Sequence, residues 1–393
     1  MTAKNLRFIN GDEAVALGVA LARPDVIAAY PITPQTIAVE KLSEYVDTGT
    51  LDAEYIQVES EHSALAAVMG ASAMGVRTFT ATSSQGLLYM CEVLHYVPGS
   101  RFPIIMMNAN RSVAAPWSIY GDQSDSMAML NSGWIQVYVE NAQEALDMVI
   151  QAYKIAENPS VLLPIMINLD GFILTHTYEL VEIPEQSAVD AFLPSYTTHN
   201  KMDLANPVNQ SITVGPDWHT EYRYQQHVVM ERAIDVIEAV DKDFGIAFKR
   251  TYGGMIDTYK ADDADAVLVT VGSVTSTARD VVDMLRERGE SVGLLKLRYI
   301  RPFPAKELVE TLAHAKAIGV LEKDVSYGYE GTVYTDVCAA LYKGGVNARP
   351  YNFIAGLSGR DISRETIADM YHTMLHHAPD KSDVLFADLR WKS

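Results

Sequence analysis

Along the N-terminal part of the chain, short runs rich in apolar and β-branched residues alternate with longer stretches in which apolar residues return at helical spacing. The short runs, Val26 to Tyr30, Tyr55 to Val58, Arg77 to Thr82, Pro103 to Asn108, Trp134 to Val139 and Val161 to Asn168, are predicted as strands. Between them the spacing predicts helices. One covers Asp12 to Arg23 and is stopped by Pro24, and one begins near Thr36 and runs to Asp47. Others cover Ser60 to Met74, Leu87 to Tyr96 and Ala142 to Ala156. Strands alternating with helices imply crossover units, and so a mainly parallel sheet with helices on both faces.

From about Ile183 to His219 this pattern fails among prolines and Asn, Thr and Ser residues, a stretch too long to be an ordinary loop inside one domain. A long helix follows, from roughly Tyr222 to Phe248, and is expected to bridge two domains. A second alternating unit then begins. Its strands are Ala266 to Val271, Val292 to Leu297, Ala317 to Leu321 and Tyr351 to Ile354, and its helices are Thr275 to Arg288, Ala305 to Ala315 and Tyr334 to Tyr342. The expected fold is therefore α/β with two doubly wound domains. Residues 1–183 form the first, 184–262 the linker and bridging helix, and 263–393 the second.

Composition narrows the function. Hydrophobic residues make up 48% of the chain, enough for sizeable cores, and 31 Lys plus Arg against 50 Asp plus Glu give a net charge of −19. A general phosphate-backbone surface is not expected on so acidic a chain, and nucleic acid is set aside as a partner. The N-terminus has no long apolar segment and no later apolar run is long enough to span a bilayer, so the expected location is cytoplasmic, with no membrane partner. The two cysteines, Cys91 and Cys338, cannot ligate an iron–sulfur cluster alone, so any electron-transfer centre must sit on another chain.

Parallel sheets bind ligands beyond the carboxyl ends of their strands, which directs attention to the strand exits. At the first, Tyr30-Pro31-Ile32-Thr33-Pro34, two prolines brace one threonine, which either donates its hydroxyl to a ligand or caps the next helix. At the second, Glu59-Ser60-Glu61-His62, the acids either complement a helix dipole or, for Glu61 ahead of a small-residue helix, form an enclosed carboxylate that requires a partner. At the third, Arg111 either takes a ligand carboxylate or pairs internally with Asp122 or Asp125. Asp122 and Asp125 also carry a weak metal-ligand reading. In the second domain, Gly272-Ser273-Val274-Thr275 reads as a helix cap or a phosphate cradle. Lys296, Arg298 and Arg301 read as an internal or subunit contact, or as a site for a ligand diphosphate.

The strings AAYPITPQT, VESEHSALAAVMGASAMGVRTFTATSSQGL, WIQVYVENAQEA, VLLPIMINLDGFILTH, VLVTVGSVTSTARD, LKLRYIRPFP and LEKDVSYGYEG span nearly the whole chain. They closely resemble the α subunits of multisubunit pyruvate:ferredoxin oxidoreductases, members of the 2-oxoacid:ferredoxin oxidoreductase family. The resemblance implies a pyrimidine-binding domain for thiamine diphosphate followed by a transketolase C-terminal-like domain. Thiamine diphosphate would be shared with a β subunit, Mg²⁺ and [4Fe-4S] clusters would lie on partner β, γ and δ subunits, and pyruvate, coenzyme A and ferredoxin would be the reactants.

By the same resemblance Glu61 in SEH bonds the aminopyrimidine ring, Thr33 in YPITP faces the 2-oxoacid, and Arg111 in NANRS binds its carboxylate. The loop after Arg111 departs from the family pattern at Ser112-Val113-Ala114-Ala115-Pro116 and at Asp122-Gln123-Ser124-Asp125. The bulky Trp117 in this loop favours a small acid such as pyruvate or is a surface or interface residue. Three readings follow: oxidative decarboxylation of pyruvate to acetyl-CoA, the same chemistry on another acid such as 2-oxoisovalerate or oxalate, or a non-catalytic assembly subunit.

Overall fold

Two mainly parallel sheets, each flanked by helices, organise the chain. In the computed structural model, which describes residues 5–210, 213–377, 384–387 and 389–390, the first sheet has seven strands. Their spatial order is Tyr299–Arg301, Ile135–Tyr138, Ile165–Asp170, Ile105–Asn110, Thr78–Thr82, Val26–Ala29 and Glu54–Gln57. Only the first pair is antiparallel. Ile105–Asn110 and Ile165–Asp170 are buried along their whole length, because helices cover both faces. Their polar members are not placed at random: Asn108 Nδ2 donates to Asn168 Oδ1 at 3.1 Å and Asn110 Nδ2 to Asp125 Oδ1 at 2.8 Å, near the carboxyl ends.

Local chemistry sets the helix limits. Asn10 and Glu13 form a reciprocal capping box that opens Gly11–Ala22, and the helix closes at Arg23 in the left-handed region, just before Pro24. Ser60 accepts from the Ser63 N–H and opens the helix Glu61–Ala73. The stretch predicted as one helix over Leu87 to Tyr96 is two, Gln85–Tyr89 and Cys91–Gly99. The bridging helix starts earlier than its periodicity suggests, at Pro216, because proline suits a first helical position, and it runs to Phe248. Val229, Ala233, Ile237, Val240 and Phe244 on one stripe join the core of the first sheet.

The second sheet orders Val384–Phe386, Arg349–Ile354, Ala317–Glu322, Ala266–Thr270, Val292–Leu297 and Ile256–Tyr259, with the last strand antiparallel. Two of these strands, Ile256–Tyr259 and Val384–Phe386, and the helix Arg364–His376 add to the elements the sequence pattern showed. Tyr299–Arg301 crosses to the edge of the first sheet, pairing Tyr299 with Val137. A short antiparallel pair, Leu6–Ile9 with Glu179–Glu182, lies apart from both sheets. No helix among the described residues is long and apolar enough to cross a membrane.

The basic cluster of the second half is consumed internally. Lys296 Nζ lies 2.5 Å from Glu144 Oε2 and 3.2 Å from Glu140 Oε2, and Arg298 Nε donates to Glu144 Oε1 at 2.9 Å. Arg298 also donates to the Gly254 carbonyl, and Arg301 reaches Asp336 at 2.8 Å. The internal-contact reading of these residues holds and the diphosphate alternative, for coenzyme A, is set aside: Lys296 and Arg298 are buried against carboxylates of the first α/β unit, and Arg301 is paired within the second. The phosphate-cradle reading of Gly272-Ser273 is corrected as well. Asp170 occupies that helix start, accepting from the Ser273 N–H at 2.8 Å and its hydroxyl at 2.5 Å. Gly272, at φ +73°, has no room for a side chain, since a Cβ would lie 2.7 Å from Asp170 Oδ2.

Candidate active site

Ile105–Asn110, Thr78–Thr82, Val26–Ala29 and Glu54–Gln57 are consecutive neighbours and parallel, so their carboxyl ends open on one edge of the sheet. Arg111, Thr33 and Glu61 follow the first, third and fourth of these strands, and the structure brings them together. Arg111 Nη1 donates to the Thr33 carbonyl at 2.8 Å, and Arg111 feels the charge of Glu61 through space. Thr33 thus contributes its backbone to the arginine while the residue itself stays exposed. It is not the helix cap: Gln35 takes that position ahead of Thr36–Asp47, without a side-chain cap bond.

Glu61 opens its helix at 9% exposure, and no group among the described residues donates a hydrogen bond to its carboxylate. Gly86 faces it. A Cβ at residue 86 would lie 2.8 Å from Glu61 Oε1 and 2.6 Å from Thr82 Oγ1, so the absence of a side chain there gives the carboxylate its place. An enclosed carboxylate without a donor fits a ligand nitrogen that can carry a proton, as the aminopyrimidine of thiamine does. Glu59 is different: exposed, it accepts from the Ser63 hydroxyl at 2.5 Å, which holds its carboxyl below the usual range.

The guanidinium of Arg111 makes no ion pair with Asp122 or Asp125, which corrects the internal-pair alternative. Asp125 accepts instead from backbone N–H groups of Ser84 at 2.9 Å, Arg111 at 3.1 Å and Ser126 at 2.7 Å, and from the Asn110 amide. Burial pushes its carboxyl up to about 6, against the pull of these donors. Asp122 accepts from the Ser112 hydroxyl at 2.5 Å, the Ser124 hydroxyl at 2.6 Å and the Ser358 N–H at 3.1 Å. These bonds organise the loop after Arg111, and among the described residues no cluster of His, Cys, Asp and Glu is arranged to hold a metal ion. Trp117, near the loop's tip, is 71% exposed.

Sequence reasoning passed over the exit of Thr78–Thr82, the strand between those of Arg111 and Thr33. Its residues Ser83-Ser84-Gln85-Gly86 occupy the middle of the site. Gln85 Oε1 accepts from Arg111 Nη2 at 3.1 Å and from the Ser84 hydroxyl at 2.6 Å. Ser84 is fully buried at φ +51° and ψ −126°, a conformation that L residues rarely adopt. The signal was present as polar and small residues in a row directly after a β-rich run.

A buried carboxylate and an arginine at parallel strand exits, on two linked doubly wound domains, place the chain in the class that joins a thiamine-diphosphate pyrimidine-binding-like domain to a transketolase C-terminal-like one. The family model described as pyruvate flavodoxin/ferredoxin oxidoreductase, thiamine diphosphate-binding, matches residues 17–242, and that of pyruvate:ferredoxin oxidoreductase core domain II matches residues 264–367. The chain belongs to this 2-oxoacid:ferredoxin oxidoreductase family. It is 47% identical over 365 residues to the pyruvate synthase subunit PorA of Methanothermobacter thermautotrophicus, covering 93% of this chain and 94% of that protein. It is also 46% identical over 358 residues to the ketoisovalerate oxidoreductase subunit VorA of Pyrococcus horikoshii, covering 91% and 90%. Among solved structures, 2-oxoglutarate:ferredoxin oxidoreductase from Magnetococcus marinus, with 2-oxoglutarate, coenzyme A and succinyl-CoA bound, superposes with a TM-score of 0.75 at 20% identity. That match covers 95% of this chain and 66% of the other.

Proposed function

We propose that this chain is the α subunit of a thiamine-diphosphate-dependent 2-oxoacid:ferredoxin oxidoreductase. Its preferred acid is pyruvate, converted with coenzyme A and oxidised ferredoxin to acetyl-CoA, CO₂ and reduced ferredoxin, in a reaction that can run in reverse. The observation that carries this reading is a buried Glu61 carboxylate without a donor, beside an arginine that pairs with no acid, both among the described residues. In this reading residues 1–183 are the pyrimidine-binding domain, 184–262 the linker and 263–393 the transketolase C-terminal-like domain.

Bound thiamine diphosphate supplies the nucleophile and electron sink for 2-oxoacid decarboxylation. Glu61 holds a proton opposite the aminopyrimidine and so controls its tautomer. Arg111, through its positive charge, takes the substrate carboxylate, and Thr33 lines the same side. A β subunit shares the cofactor and brings Mg²⁺, and the [4Fe-4S] clusters reside on partner β, γ and δ subunits, since two separate cysteines cannot hold one. The absence of a membrane-length apolar helix among the described residues and the acidic charge are in keeping with a cytoplasmic complex.

Relatives named for pyruvate and for ketoisovalerate are nearly equally similar, so substrate preference is the point to test. The test is anaerobic reduction of a low-potential viologen by the natively co-purified complex, with coenzyme A and each of pyruvate, 2-oxoisovalerate, 2-oxoglutarate and oxalate. The highest kcat/KM is expected with pyruvate. Preference for 2-oxoisovalerate moves the substrate assignment to the branched acids and leaves the residue roles standing. Lack of turnover by a complex loaded with thiamine and clusters turns the reading to a non-catalytic assembly subunit.

A further inference from the structure

The groups that touch the Arg111 guanidinium are neutral, although Glu61 and Asp125 act on it through space. Both oxygens that hold its guanidinium, the Thr33 carbonyl at 2.8 Å and Gln85 Oε1 at 3.1 Å, carry no net charge. Its buried Nε has no partner among the described residues. Asp125, whose carboxylate lies against the Arg111 backbone, spends its oxygens on buried N–H groups, including that of Arg111 itself. An arginine buried beside a carboxylate would normally fork onto it. Here the acid is occupied and an amide stands in its place.

We propose that Gln85, fixed by Ser84, is a positioning residue that aims the Arg111 guanidinium while leaving it free of a direct ion pair, for the carboxylate of the incoming 2-oxoacid. The device is a bracket of three parts. The Arg111 contact requires Gln85 to present its oxygen, not its NH₂, because Nη2 is itself a donor. The Ser84 hydroxyl, 2.6 Å from that oxygen and 2.7 Å from the Ser112 carbonyl, carries a single proton for the two acceptors, and in donating it to Gln85 it stabilises the oxygen-inward orientation. The unusual backbone of Ser84 directs this hydroxyl toward Gln85 while its N–H donates to Asp125. A glutamate at the same position would satisfy Ser84 and Arg111 equally well in shape, but would form an ion pair that the substrate must break.

This inference rests on the proposed role of Arg111, so the experiment compares Gln85→Glu, Gln85→Ala and Arg111→Ala in the assembled complex, measuring kcat and KM for pyruvate separately. Gln85→Glu is expected to raise KM about thirtyfold or more with kcat within about threefold, because the new carboxylate competes for the guanidinium. Gln85→Ala loses one hydrogen bond without adding a charge, and its KM is expected to rise about three- to tenfold. A KM for Gln85→Glu no higher than that for Gln85→Ala overturns the neutrality argument. An unchanged KM in Gln85→Ala overturns the positioning role, and it decides the matter if Gln85→Glu does not assemble. Should Arg111→Ala itself leave KM unchanged, the underlying assignment of Arg111 is what fails.

Discussion

Arg111 and Asp125 show how neighbouring charged groups can be put to different tasks. Asp125 is spent on structure, so Asp125→Ala should strand the buried N–H groups of Ser84, Arg111 and Ser126 at about 1–3 kcal/mol each, as far as water does not replace it. A melting temperature for the complex equal to wild type would show that these bonds do not hold the loop. Arg111→Ala removes a charged hydrogen bond to substrate, worth about 1.5–3 kcal/mol, and should raise KM by about one to two powers of ten. At Gly86 the constraint is steric. Gly86→Ala places a methyl against Thr82 and Glu61, and the displaced carboxylate should lower kcat about tenfold or more while subunit assembly is kept. Unimpaired kcat in that variant would mean Glu61 has room to spare.

Among the elements, the alternating strands and helices were legible because helices buried both faces of the sheets and left a strong apolar pattern. Ala142–Ala156 coincides with its predicted limits. What was not legible depended on contacts distant in sequence. Tyr299–Arg301 is too short to announce itself and is a strand only because the edge of the other sheet is there to pair with. Three strand exits of the site could be read from proline, acid and arginine. The fourth carried a weaker signal, because a serine, a glutamine and a glycine after a β-rich run become informative only once Thr78–Thr82 is seen to lie between the strands that lead to Arg111 and Thr33. Glu322 illustrates an element whose cost was hidden. It accepts from the N–H groups of Val333 and Tyr334 at the start of the helix Thr332–Lys343, and from the Asn352 amide, with no cation among the described residues paired to it. Burial, with Asp324 adding to it, raises its carboxyl from 4.5 to about 8 against those bonds. The folded chain therefore holds this proton more tightly than the unfolded one, and stability is expected to fall as pH rises from about 4.5 to 8. Hydrogen exchange of the first turn of that helix, corrected for intrinsic rates, should show protection declining over this range in wild type and flat in Glu322→Gln. An equal decline in both would assign the effect to another group.

At the scale of the whole molecule, the two sheets are joined through buried charge as well as through the exchanged strand. Burial opposes ionisation of Glu144, but Lys296 and Arg298 outweigh it and hold the carboxyl at about 2. Its stabilising contribution is therefore present above the ordinary value of 4.5 and is lost as pH falls toward about 2. Glu144→Ala leaves a lysine and an arginine buried without this partner, a loss of about 3–5 kcal/mol that should appear as early proteolysis between the two α/β units. Wild-type resistance in that variant would show that Glu140, 3.2 Å from Lys296, and Asp241, 3.9 Å from Arg298, compensate. Asp170 with Lys323, at 2.8 Å, and Asp122 with Ser358 tie the second unit to the strand exits and the loop that follow the first sheet. The candidate site is thus supported from both halves of the chain, although Glu61, Thr33 and Arg111 all come from the first.

The central claim is that Glu61 faces the cofactor of a working 2-oxoacid oxidoreductase, and its most direct test is the turnover of the Glu61→Gln complex. With pyruvate, coenzyme A and viologen, the rate should fall by about 10²–10⁴-fold, the loss expected for removal of acid–base assistance, while subunit composition and thiamine and iron content match wild type. Wild-type turnover in that loaded complex would contradict the account.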